Sequence, residues 1–111
     1  MAAFGLAHLR EVKLGPAIAE YLKRIDVTLV DFGGRFIVHG GVLDVLEGSW
    51  PGSLVIIEFP DMNAARSWYA SEAYQAIEHL RADNSIGDII LADGVPDGHK
   101  SIDLLGPLGL E

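Results

Sequence analysis

The sequence predicts an α+β fold with the element order βαββαβ, in which an antiparallel sheet carries its helices on one face and turns the other towards a second copy of the chain. Three observations carry that expectation. Apolar residues recur at helical spacing in two regions, one after Pro16 and one after Asp61. Short apolar runs of β character stand before, between and after those regions, in the order of a split βαβ unit. The runs also point apolar side chains to both sides of a sheet that has helices for only one side, and an uncovered apolar face of that extent marks an interface, most economically with another copy.

Phe4 to Arg10 is short and apolar and predicts the first strand. Gly15-Pro16 follows, and proline suits the first turn of a helix, where its missing N–H would have had no partner. From there Ile18, Tyr21, Leu22, Ile25 and Leu29 share a helical stripe, while Glu20, Lys23, Arg24 and Asp31 fall elsewhere on the wheel, until Gly33-Gly34 closes the pattern as a C-cap. Val27, Thr28 and Val30 weaken the last turns slightly, because β-branched side chains lose χ1 freedom in a helix. Arg35 to Glu47 alternates on both sides of Gly40-Gly41, which permits a hairpin or one long strand bent at a glycine bulge; the bulged strand is favoured.

Trp50-Pro51-Gly52 makes a turn, and Leu54 to Phe59 is then apolar but for Glu58, as suits a central strand covered on both faces. Pro60 ends that strand and Asp61 can cap the helix that Ala64, Ala65, Trp68 and Tyr69 describe. Ser71 reads as a second cap, with Tyr74, Ile77, Glu78 and Arg81 continuing helically, so two consecutive helices or one kinked helix are expected. Ile86 to Ala92 is the last strand. A domain over residues 1–95 and an irregular tail over 96–111, rich in glycine and proline, complete the chain. Ile102, Leu104, Leu105, Leu108 and Leu110 are too many apolar residues for a solvated end, so the tail is expected to dock on the partner subunit.

At 111 residues, half of them apolar, the chain can bury one core. It has no cysteine, which excludes disulfides, thiolate nucleophiles and thiolate zinc sites. The formal charge of −8 repels a phosphate backbone unless the cations gather in one place, and Lys13, Lys23, Arg24, Arg35, Arg66, Arg81 and Lys100 are scattered. Nucleic acid and anionic membranes are therefore not expected as partners. No window reaches the roughly 20 apolar residues of a membrane span, and no basic stretch leads into a signal-like apolar run, so a cytoplasmic location is expected.

The chain also resembles a family. Phe32-Gly33-Gly34-Arg35-Phe36, Glu47-Gly48-Ser49-Trp50, Ile57-Glu58-Phe59-Pro60, Ala65-Arg66-Ser67-Trp68-Tyr69-Ala70-Ser71-Glu72-Ala73-Tyr74-Gln75 and Leu80-Arg81 occur in the order of the signatures of domain of unknown function 1330, over roughly residues 4–94. Phe32 stands where tyrosine is common in that family, and His39 where arginine often precedes Gly-Gly. The resemblance implies a ferredoxin-like domain of the dimeric α-β barrel superfamily, in which two sheets pack into one barrel. That superfamily includes cofactor-free monooxygenases, lactone isomerases and haem enzymes, so the fold permits catalysis without specifying it.

Glu47 and Trp50 place a carboxylate and an indole beside a strand end, where a ligand would meet a proton acceptor and a flat apolar wall. They serve equally as a hydrogen-bonded turn, with Arg35 as partner, and a plug for the barrel end. Trp68, Tyr69 and Tyr74, at spacings of one and five, cannot share one helical face, so at least one is expected to leave the core for a cleft or interface. Arg81 can clamp a carboxylate bidentately or pair with Glu47, Glu78 or Asp88. His8, His39, His79 and His99 lack the spacing of a metal helix, and only His39 lies in a defined motif, where it can act as a general base near neutral pH.

The candidates are thus Glu47 and His39 for proton transfer and Arg35, Trp50, Trp68, Tyr74 and Arg81 for ligand binding, with no metal and no tightly held cofactor expected. Two functions fit them. One is a homodimeric protein that binds a small molecule without turning it over. The other is a cofactor-free enzyme, monooxygenase- or isomerase-like, acting on a small apolar or aromatic acid or lactone. Convergence of Glu47, His39 and Arg81 on one cavity would favour the enzyme.

Overall fold

The computed structural model describes residues 1–111. The strands are β1 (Ala3–Val12), β2 (Arg35–His39), β3 (Ser53–Phe59) and β4 (Ser85–Asp93); the helices are α1 (Pro16–Leu29), α2 (Met62–Ala70) and α3 (Glu72–Ala82). The sheet has the order β2-β3-β1-β4 with every neighbouring pair antiparallel, the α+β arrangement that the element order predicts. Leu54 to Phe59 lies in one of the two central strands, as its apolar run requires. No helix is long and apolar enough to cross a membrane.

Strand parity divides the side chains into two sets. Ala3, Gly5 and Ala7 of β1 stand opposite Phe59, Ile57 and Val55 of β3 on the helix-covered face. Phe59, Ile57, Trp68, Tyr74, Ile77, Ile25 and Leu29 form the core there. Its few polar atoms are paired, since the Trp68 Nε1–H donates to Thr28 Oγ1 at 3.0 Å and the Thr28 hydroxyl donates to the Ile25 carbonyl at 2.6 Å. Burial therefore leaves no orphaned donor in α1's last turns. On the opposite face Leu6 stands between Ile56 and Ile90, and His8 between Leu54 and Asp88. No helix of the chain covers that side, and ion pairs Arg10–Asp88 and Arg35–Glu58 flank it.

Both predicted caps form. Asp61 Oδ1 accepts the Ala64 N–H at 2.7 Å, and Ser71 Oγ accepts the Tyr74 N–H at 3.2 Å. The Ser71 hydroxyl also donates to the Trp68 carbonyl at 2.6 Å, so one side chain ends α2 and starts α3. Ser71→Ala is expected to cost about 1 kcal/mol, read as a lower denaturation midpoint at unchanged slope.

The segment after β2 departs from expectation. The strand does not continue through Gly40-Gly41 to Glu47 but stops at His39, because Gly40 takes a left-handed φ of 73° and turns the chain out of the sheet. The strand irregularity falls earlier, between Phe36 and Val38, where Ile37 is the extra residue opposite β3. Residues 40–52 form an arm beyond the sheet, with Val42 99% exposed and Leu46 86% exposed. The tail is irregular apart from a short 3-10 turn at Ser101–Leu104.

Candidate functional site

A cavity of about 100 Å³ lies between the helix-covered face of the sheet and the helices. Fifteen of its eighteen lining residues are hydrophobic, and the exceptions are Gly5, His39 and Arg81. Of the two ionisable groups on this apolar wall Arg81 is largely buried, where charge interactions are stronger than in water, and His39 is exposed at the rim.

Arg81 comes from the last turn of α3, and its side chain is only 11% exposed. Its nearest carboxylate, Glu78 one turn back, stays 3.7 Å away, too far for a tight ion pair. Facing it are two phenols: Tyr21 of α1 and Tyr74 of α3 meet hydroxyl to hydroxyl at 2.9 Å, with their rings edge to face. Burial drives the Tyr21 phenol far above its usual range, and Tyr74 adds to the effect against the opposing pull of Arg81. Burial alone would lower the Arg81 guanidinium, but the oxygens of Tyr74 and Tyr21 outweigh it and hold it above its ordinary value. The result is a permanent cation beside the paired hydroxyls of Tyr21 and Tyr74.

His39 reaches the cavity because of the strand irregularity. With Ile37 as the extra residue, Phe36 pairs with Ile57 and His39 with Val55, so two residues three apart share one face. Their rings stack at 4.1 Å, which fixes the imidazole at the wall. Trp68 supplies another wall, packed 4.2 Å from Tyr74 and 5.4 Å from Phe59. Tyr69 is the aromatic that leaves the core's centre, half-buried beside Trp68 and Tyr74.

The cavity thus gathers His39, Trp68, Tyr74 and Arg81 and leaves three candidates outside. Arg35 points to the uncovered face, where its Nε and Nη2 donate to Glu58 Oε1 at 2.9 and 2.7 Å. Glu47 and Trp50 belong to the arm. Trp50 stacks on His8 at 3.9 Å, and His8 Nε2 pairs with the Pro51 carbonyl at 2.8 Å, so this pair fastens the arm to the uncovered face. His39 and Arg81 share one cavity, then, and Glu47 does not join them. Tyr21 is the site residue that sequence reasoning missed; it reads as one more member of the α1 stripe, and its only signal is a polar tip on an apolar face.

The model of the family described as domain of unknown function (DUF1330) matches residues 2–95. The chain belongs to this family. No curated protein matches the chain in sequence. Among solved structures, the fold recurs in a protein of unknown function from Rhodopseudomonas palustris, with a TM-score of 0.62, 16% identity, and 86% of this chain and 83% of that one covered. SnoaB, a cofactor-independent oxygenase from Streptomyces nogalater, aligns with a TM-score of 0.53 and 12% identity over 89% of this chain and 96% of its own. A dimeric ferredoxin-like protein of unknown function from Jannaschia sp. CCS1 aligns with a TM-score of 0.53 and 13% identity over 81% and 98%. At such identities the likeness is one of fold, and it makes this DUF1330 chain ferredoxin-like.

Proposed function

We propose that the chain is a homodimeric small-molecule binding protein whose cavity takes a small, largely apolar organic acid, carboxylate against Arg81. The observation that carries this reading is a buried guanidinium with no carboxylate in close contact, on the wall of an apolar cavity. Glu78 holds that cation only loosely, at 3.7 Å, and a ligand carboxylate would supply a closer partner with two parallel hydrogen bonds. The Tyr21 and Tyr74 hydroxyls share one hydrogen bond, which leaves the O–H of the accepting phenol as a further donor.

A thermal-shift screen of benzoate, phenylacetate and short fatty acids tests it. An acid held at a hundredfold excess over its Kd is expected to stabilise the fold by about 2.7 kcal/mol. Arg81→Gln should remove the shift for the acids and keep any shift given by the corresponding neutral amides. Acids that shift the Arg81→Gln variant as strongly as the parent chain would overturn the assignment.

His39 favours a second reading, that of cofactor-free proton transfer, because its imidazole lines the same cavity as Arg81. The fold shared with a cofactor-independent oxygenase supports that reading at the level of fold. If a bound acid is turned over, His39→Gln should stop turnover while the thermal shift persists.

The homodimer has its own support. The uncovered face presents Leu6, Leu54, Ile56 and Ile90, and the Jannaschia relative is described as dimeric. The chain exposes 7473 Å² for 12.0 kDa, where a compact monomer of that mass exposes about 6,000 Å². Pairing through this face and the segments beside it would bury part of that excess.

A further inference from the structure

The tail's short turn is a completed piece of structure with nothing to lean on. The Lys100 N–H donates to Asp103 Oδ2 at 3.0 Å and caps its start. At its end the Gly109 N–H reaches the Gly106 carbonyl at 2.9 Å and the Leu110 N–H reaches the Leu105 carbonyl at 2.8 Å, with Gly109 at φ 70°. That pair of bonds is a Schellman ending. Lys100 to Leu110 is therefore a helical hook closed at both ends, yet Ile102 and Leu110 are each 66% exposed. A hook this short is marginal alone in water, so its cover must come from outside the chain. The radius of gyration, 16.0 Å against about 13 Å for a compact domain of this length, reflects segments held away from the body.

The arm offers the matching surface. Leu43, Val45, Leu46, Trp50 and Leu54 line an apolar groove that also holds Asp44 and Glu47, and no residue of the tail enters it. Neither those carboxylates nor Lys100 of the hook makes an ion pair within the chain. Topology separates the two features. The arm leaves where Leu9 pairs with Ser53, on the β2 side of the sheet, whereas the tail leaves where Ala3 pairs with Asp93, at the β4 edge. These are diagonally opposite corners. A two-fold axis lying in the interface plane, along the other diagonal, carries each corner onto the other, so one operation would bring both hooks to both grooves.

We propose that the hook Lys100–Leu110 of each copy seats its leucines in the arm groove of the other copy, locking the dimer at two symmetric points. This rests on the homodimer reading above. The chain has no cysteine, so introduced thiols report without background. In the double variant Leu46→Cys, Leu108→Cys, a short bis-maleimide is expected to give a covalent dimer on a denaturing gel, and each single variant is expected to stay monomeric there. Deleting residues 97–111 is expected to raise the dimer's dissociation constant at least tenfold. If light scattering finds the intact chain dimeric while the double variant cross-links no more than the singles, or the deletion leaves dissociation unchanged, the hook's seat is wrong and the dimer stands. A monomer mass for the intact chain overturns the homodimer reading, and this inference with it.

Discussion

Ile57→Asp is expected to abolish folding, and Ile56→Asp, one residue away, to leave a folded monomer. Ile57 is 5% exposed, faces the helices and belongs to the core. A carboxylate there loses its hydration among the apolar side chains of the core, and burying a charge without a close partner costs several kcal/mol, comparable to the whole stability of about 5–15 kcal/mol of a small domain. Ile56 points the other way, beside Leu6 on the uncovered face. There the charge meets water in the single copy and loses its hydration only when a second copy arrives. Circular dichroism and light scattering on both variants separate the two outcomes. A native melt and mass for Ile57→Asp would show that the strand's parity is misassigned.

Trp68→Ala is expected to cost about 3–5 kcal/mol, the usual loss for removing a large buried aromatic. Trp68 touches Tyr74, Phe59 and Tyr69, and its indole N–H holds Thr28 at the end of α1, so the deletion loosens α1 and α2 together. It also enlarges the cavity, of which Trp68 is a wall. Denaturant titration should show a lowered midpoint, and saturating benzoate should recover part of the loss if the ligand fills the gap. A midpoint within experimental error of the parent chain would remove Trp68 from the core.

What was legible from the sequence followed local rules. The stripe from Ile18 to Leu29, the cap at Asp61, the double duty of Ser71 and the apolar run of β3 each obey a periodicity or a short-range hydrogen bond, and each stands where those rules put it. The arm did not, because alternation at Val42 to Leu46 suits a strand only if another strand lies beside it, and Gly40 leads the chain past the sheet's end. The cavity was half legible. Trp68, Tyr74 and Arg81 share one helical region and could be grouped, but Tyr21 joins them only through the packing of α1 on α3, and Glu47 is parted from them by the arm's course. Residue types suggested a ligand; long-range pairing decided which of them could touch it.

The extra residue in β2 has a bearing on how such a pocket diversifies. Because Ile37 resets the strand's parity, the position before Gly40 faces the cavity without belonging to the core, and its side chain stacks on Phe36 alone. A lineage can exchange the side chain there, imidazole for guanidinium for amide, and alter the acid–base character of the enclosure while the fold's stability is left nearly untouched. Loss of the one extra residue would instead send that position to the opposite side of the sheet in a single step. Chemical identity and strand length are thus separate heritable dials on the same pocket, one graded and one all-or-none.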